Sequence, residues 1–293
     1  MALQAVLSAF RQLILDGIDL PATVQARESL FRSRFANLSD QEVEDLAKME
    51  PSRLSVYTTS VFSAEGNILK NAFPLTLAAL EAEWPAEWGR FSARALAQRI
   101  HRTAPWRGIH SMTLGESLIS FIQGDCGKIR EAVPWLPEAA NLELAMLEIR
   151  RAPNEPILPQ PEAEIEKLSS LTVEELLARE AYIPALLRCV RLERDLLKAR
   201  QAVLEGARLE PIALQRRSMV GARPHDYGVV FVEASHEVSA FLERNRGRSV
   251  PLQDLAEAFV SGLGEGANSG EQETFRSFVS LLRALVSIGA VSV

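Results

Sequence analysis

The sequence predicts a mainly α protein that carries a small α+β module towards its C-terminal end. Apolar residues recur three and four positions apart through most of the chain, which is the period of a helix with one buried face. Aromatic residues are few, 6% of the total, while the good helix formers Ala and Leu are abundant. Only past residue 207 does the pattern change to short β-branched and aromatic runs bounded by turn residues.

With 293 residues and 47% apolar content, the chain can hold two domains with buried cores. The net charge of −6 argues against broad, sequence-independent phosphate binding. No apolar run reaches the length of a bilayer span, so no membrane association is expected. The first helix carries Arg11 and Asp16 with no signal-peptide pattern, which makes the cytoplasm the expected location. Cys126 and Cys189 are the only cysteines and imply no disulfide framework.

In chain order, Leu3, Val6, Leu7, Phe10, Leu13 and Ile14 form one helical stripe, and Gly17 stops it. Pro21 opens a second helical segment that buries Leu30 and Phe31. Ser39-Asp40-Gln41-Glu42 is a capping box ahead of Val43 and Leu46. Pro51 starts a longer helix with Leu54, Tyr57, Val61, Ile68 and Ala72 on its inner side. That helix should stop at Phe73-Pro74, because the residue before proline resists the helical region. Trp88, Phe91 and Ala95 mark another helix; Leu114, Leu118, Phe121 and Ile122 mark the next. Residues 103–108 read as a loop between them. Leu136, Ala140, Leu144 and Leu147 share the face of a helix that begins after Pro134-Trp135. These elements make residues 1–151 an all-helical domain.

Pro153, Pro156, Pro159 and Pro161 fall within nine positions, so residues 152–170 read as an extended linker. Thr172-x-x-Glu175 is a second capping box. Pro184 leads into a helix through Leu186, Val190, Leu197 and Leu204, ended by Gly206; residues 171–206 are thus connecting helices. Residues 209–216 read as a strand with proline near its start. Arg223-Pro224-His225-Asp226 reads as a turn, and Tyr227–Glu233 as a stronger strand. Val238, Phe241 and Leu242 define a helix, and Leu252 to Leu263 a second. Phe275 to Val286 form a third, behind a capping box at Ser269 and before Gly289. Residues 207–293 are therefore strands followed by three helices.

Four sets of residues occur in a suggestive order. They are Arg53-Leu54-x-x-Tyr57, Ala72-Phe73-Pro74-Leu75-Thr76, Pro105 followed by Leu114-Gly115, and Val133-Pro134-Trp135-Leu136-Pro137 running on to Glu143. Over roughly residues 25–150 this resembles the N-terminal domain of the HvfC/BufC family, a family labelled as DNA-binding, and its MbnC- and TglI-like members. The C-terminal order of elements resembles a PqqD-like peptide-recognition domain (RRE) and also a winged helix. The resemblance implies a non-catalytic partner subunit in the biosynthesis of ribosomally made, modified peptides. It would form a heterodimer with a multinuclear non-haem iron oxidase of the TglH/MbnB type and bind the leader of a ribosomal precursor peptide. The layout favours the TglI-like, 3-thiaglutamate role over the MbnC-like, methanobactin role. Iron would sit in the partner enzyme, with no cofactor in this chain.

An extended peptide can join a sheet edge as one more strand, its side chains falling into the groove beside a helix. Carried over from PqqD-like domains, that groove is lined by Tyr227, Val229, Phe231, Phe275, Phe278 and Leu282. The alternative is a winged-helix DNA-binding regulator with Arg276 and Arg283 on its recognition helix. The apolar character of that helix and the acidic total count against it, so nucleic acid is not the expected partner.

Catalytic and metal sites are not expected. His101, His110, His225 and His236 stand at no metal-ligand spacing. Cys126 lies in Gly124-Asp125-Cys126-Gly127, a turn that would expose it, yet has no activating neighbour. Cys189 reads as packed in mid-helix. Gly262-x-Gly264-x-Gly266 follows a helix, whereas a phosphate loop follows a strand. Glu42, Glu44 and Asp45 read as a solvated helix face. Arg244, Arg246 and Arg248 suit a helix C-terminus, with contact to an acidic leader peptide or a phosphate as the functional option.

Overall fold

The computed structural model describes residues 2–16, 18, 20–103, 111–152, 161–223, 228–263 and 270–293. The fold is mainly helical, with strands only in its C-terminal part among the described residues. It divides into two compact units, 1–140 and 141–293. The division falls inside a helix, earlier than the boundary expected at residue 151.

Unit 1 starts with α1 (Ala2–Asp16), α2 (Val24–Arg34) and α3 (Asp40–Ala47). Pro21 does not open α2. The helix starts at Val24, where the Thr23 hydroxyl accepts from the Ala26 N–H at 3.3 Å. The buried Arg27 donates to the carbonyls of Ala47, Pro21 and Ala22, which pins the approach to α2. The α3 capping box is present: the Ser39 N–H donates to Glu42 Oε2 at 2.7 Å, and the Glu42 N–H donates to Ser39 Oγ. α1 ends at Asp16; Gly17 lies outside the described residues.

α4 (Pro51–Ala72) and α5 (Pro74–Glu83) meet at Phe73. Pro74 pushes Phe73 out of the helical region, to φ −126 and ψ 49. The buried face of α4 is Leu54, Phe62, Glu65, Gly66 and Leu69. This corrects the expected stripe: Tyr57 is 53% exposed and sets its ring edge-on to Phe10. The partner helix decides the face. At Gly66 an added Cβ would lie 3.0 Å from the backbone of Ala93 and Arg94, so α4 and α6 (Ala93–Thr103) approach closely there. Trp88 and Phe91 are not part of that helix, contrary to expectation. Trp88 closes a 3-10 turn, Gly89 caps it at φ +82, and Ser92 accepts from the Ala95 N–H to start α6. Trp84, Trp88 and Phe91 stack edge-on, with the Arg99 guanidinium 4.6 Å from the Trp88 ring centroid.

α7 (Ser111–Gly124), α8 (Gly127–Ala132) and α9 (Leu136–Arg151) follow. The loop expected over 103–108 lies outside the described residues except for Thr103, which ends α6. Leu114, Leu118, Phe121 and Ile122 are buried on α7 as expected, and on α9 Leu136, Ala140 and Leu147 are buried. Cys126, expected to be exposed, is 1% exposed, and burial pushes its thiol pKa up to about 12.

In unit 2 the linker expectation fails from residue 161 onward: Pro161–Ser170 is a helix, α10. Pro161 is its first residue, where a missing N–H and a fixed φ suit helix entry. Residues 153–160 lie outside the described residues. α11 (Val173–Leu177) carries the Thr172/Glu175 capping box. The connecting helix expected over 184–206 is mostly something else: β1 (Glu180–Ile183), β2 (Arg188–Arg194) and then α12 (Leu196–Leu204). Cys189 is therefore on a strand and half-buried. The spacing of Leu186, Val190 and Leu197 fits a helix, but pairing with β3 (Leu214–Ala222) overrides it. β3 begins five residues later than expected, and β4 is Val230–Ala234. Residues 224–227, which hold most of the expected turn, lie outside the described residues.

β2, β3 and β4 form an antiparallel meander, with Val220 opposite Val232 and Gly221 opposite Phe231. α13 (His236–Arg244), β5 (Arg248–Pro251), α14 (Leu252–Gly262) and α15 (Glu271–Ser287) complete the unit. β5, not foreseen, pairs with β1, and β1 also bridges Ser292. α15 is preceded by Gly270, which makes no side-chain cap; Ser269 lies outside the described residues. Helices and sheet enclose one core containing Leu168, Ala181, Val220, Leu242, Leu255, Phe278 and Leu282.

Candidate functional site

β4 is an edge strand. The order β2-β3-β4 leaves its outer side with no strand partner among the described residues. Alternation along β4 sends successive side chains to opposite faces, and the core contacts settle which face is which. Val232 and Ala234 pack on the core that holds Phe278, as do Val220, which lies opposite Val232, and Ala222, which lies opposite Val230. Phe231 points the other way. Its ring lies over Gly221, within 3 Å of where a Cβ would stand. Gly221 is needed at that point for the ring to lie down on the strand.

The expected lining is therefore not assembled as one groove. Phe231 is on the sheet face away from α15, while Phe278 and Leu282, at 3% and 0% exposure, are core. Val229 is half-buried ahead of β4, and Tyr227 lies outside the described residues. Phe275 is half-buried against the core, and so is Val279 one turn later. α15 packs against β4. The apolar residues that share the side of α15 and remain reachable are thus Val230, at 40% exposure, Val232, Phe275 and Val279. Sequence reasoning missed Val230 and Val232 because it placed the odd residues of the strand inward, and it passed over Val279 on α15 in favour of Phe278 and Leu282. The period of two was legible; the parity was not.

Charges near the sheet are mostly engaged. Arg217 Nε stands 3.7 Å from Glu233 Oε2 across the β3–β4 pair. Arg246 meets Glu243 at 3.3 Å and the Leu187 carbonyl, and Arg244 donates to the Ala240 carbonyl. Two members of the basic run thus serve their own fold. Arg276 on α15 is exposed. The Cys189 N–H donates to Glu243 Oε2 at 3.2 Å, and burial followed by the nearby Glu243 charge raises the thiol pKa to about 12. A thiol held protonated is a poor nucleophile.

Elsewhere the polar residues singled out from sequence have local roles. Glu42 closes its capping box, and Glu44 and Asp45 face Lys48 at 3.0 and 3.6 Å. His101 Nε2 lies 2.8 Å from Glu65 Oε2 in the core of unit 1, edge-on to Phe62. His236 opens α13 at the surface; His110 and His225 lie outside the described residues. Gly262 abuts Ser235 and Glu237 at the crossing of α14 and α13, and Gly264 and Gly266 lie outside the described residues. Among the described residues, no group of three or more His, Cys, Asp or Glu is placed to hold a metal ion, and no helix is long and apolar enough to cross a membrane. Comparison with family models and with curated proteins finds no match for this chain.

Proposed function

We propose that the chain is a peptide-recognition subunit: it captures the leader of a ribosomally made precursor peptide as an extra strand on β4 and presents it to a partner enzyme. The observation that carries this is the outer side of β4 beside α15, which has no strand partner among the described residues and is bordered by Val230, Val232, Phe275 and Val279. An extended peptide there gains backbone hydrogen bonds from the strand, and alternate side chains meet the apolar row. The resemblance of residues 25–150 to the HvfC/BufC family supplies the rest of the proposal. The partner is a multinuclear non-haem iron oxidase of the TglH/MbnB type that modifies a peptide cysteine, the TglI-like role being favoured. In this role the chain itself is non-catalytic, and it works in the cytoplasm.

The test is affinity purification of the tagged chain from its native host, with mass spectrometry of what accompanies it. An iron oxidase and a short cysteine-bearing peptide are expected with the wild type. Val230→Glu, a change at an exposed edge position, should keep the enzyme and lose the peptide. Recovery of DNA alone, or of nothing specific, overturns the proposal and returns residues 207–293 to the winged-helix alternative.

A further inference from the structure

Unit 1 holds a half-open cleft of about 320 Å³ that the proposed peptide capture does not use. Its floor is the first half of α4, which contributes Ser52, Ser55 and Thr59; α6 contributes Arg94 and Gln98, and Leu20 supplies an apolar wall. Ser52, Ser55 and Thr59 follow helical spacing, so one face of α4 is lined with hydroxyls. Thr58, also at the cleft, closes on the Leu54 carbonyl at 2.9 Å. The side chains of Ser52, Ser55, Thr59, Arg94 and Gln98 have no such partner among the described residues. Five hydrogen-bonding groups therefore line one concavity with no hydrogen-bond partner among the described residues.

Among the described residues Arg94 is the one ionisable group in the lining, and it brings a positive charge to the cleft in a chain of net charge −6. Its position is fixed from behind. The backbone of Ala93 and Arg94 rests against Gly66 with no room for a Cβ, so the α4 and α6 walls are held at a set separation. A planar guanidinium matches a planar carboxylate through two parallel hydrogen bonds. A phosphate dianion would leave one charge uncompensated, because among the described residues no second cation lines the cleft. The volume is at the low end for small-molecule sites, which begin at roughly 300 Å³.

We infer that this cleft binds a small monocarboxylate with a short apolar group, the carboxylate on Arg94, the adjoining polar atoms on Ser52, Ser55, Thr59 and Gln98, and the apolar group against Leu20. The test is a two-dimensional NMR titration of the full-length chain with three probes: N-acetyl-leucine, its uncharged primary amide, and inorganic phosphate. N-acetyl-leucine should give saturable shifts at Ser52, Ser55, Thr59, Arg94 and Gln98. Its amide should bind about tenfold more weakly, the loss of one charge-assisted contact. Arg94→Gln should weaken the acid by a similar factor and leave the amide unchanged. Thr59→Val is the second variant, expected to weaken both probes while the rest of the spectrum stays in place. No saturable shift up to the solubility of the acid, equal binding of acid and amide, or tighter binding of phosphate at the same residues would overturn the inference.

Discussion

Unit 1 and unit 2 each bury a carboxylate and give it a cationic or cation-forming partner from another helix. In unit 1 Glu65 on α4 meets His101 on α6 at 2.8 Å. In unit 2 Glu143 on α9 meets Arg200 on α12 at 3.1 Å. The difference lies in the partner. An imidazole can serve as a neutral hydrogen-bonding group, whereas a guanidinium stays charged. Burial lowers the Arg200 pKa, and the Glu143 charge opposes that shift. Unit 2 is thus committed to an ion pair between α9 and α12. Arg188 to Glu148 at 2.5 Å, and Arg223 to the carbonyls of Arg150 and Ala152, tie the same stretch of α9 to the strands.

The largest effect should come from breaking the committed pair. Arg200→Ala removes the guanidinium that pairs with Glu143, at 0% exposure, and should destabilise the protein by about 3–5 kcal/mol. Replacing both partners by apolar residues, Glu143→Met with Arg200→Leu, should recover most of that loss. His101→Ala should cost less, about 1–3 kcal/mol, because it removes a hydrogen-bonding partner that need not carry charge. Urea denaturation of the variants checks the ranking. An Arg200→Ala loss no larger than that of His101→Ala would break the comparison.

The two units also differ in how tightly a glycine is held. Gly66→Ala in unit 1 drives a Cβ against the backbone of Ala93 and Arg94 at 3.0 Å, and a helix backbone has little room to shift. The expected cost is about 1–3 kcal/mol, the range for overpacking. Gly221→Ala in unit 2 meets the Phe231 ring at 2.5 Å, and a ring on a half-buried edge strand can swing aside. Its cost should fall at or below the lower end of that range, about 1 kcal/mol. Thermal unfolding gives the ranking, and displaced Phe231 ring resonances would show where the strain goes.

What could be read from the sequence follows from how local the determinants are. The capping boxes at Ser39 and Thr172, the break at Phe73-Pro74, and the faces of α7 and α9 depend on residues within a turn or two, and these are in place. The inner face of α4 depends on Gly66 and on a helix that starts at Ala93, so Tyr57 was misplaced. Residues 188–194 satisfy a helical period as well as a strand period, and only the pairing with β3 decides. The parity of β4 is likewise a property of register, so Phe231 and Val232 could not be sorted from local pattern. Glu65 and His101 are 36 positions apart, and nothing in their immediate surroundings couples them. The hydroxyl stripe at Ser52, Ser55 and Thr59 was legible as a period, but not as the floor of a cleft.

The smallest effects test a device the two units share. Ser39 with Glu42 caps α3 in unit 1, and Thr172 with Glu175 caps α11 in unit 2. Ser39→Ala or Thr172→Ala should each cost about 1 kcal/mol. In both boxes the carboxylate pKa is lowered from 4.5, first by the hydrogen bond from the capping residue's backbone N–H and then by the one from its hydroxyl. A folded pKa below the unfolded one means that the contribution is present above the unfolded value. It is lost as pH falls through the folded value. Carboxyl carbon shifts should therefore titrate below 4.5 for Glu42 and Glu175 alike, and Ser39→Ala should raise the Glu42 midpoint while leaving that of Glu175 in place. If both midpoints moved together, the two caps would not be the independent local devices that their geometry describes, and α3 and α11 would have to be coupled through the rest of the fold.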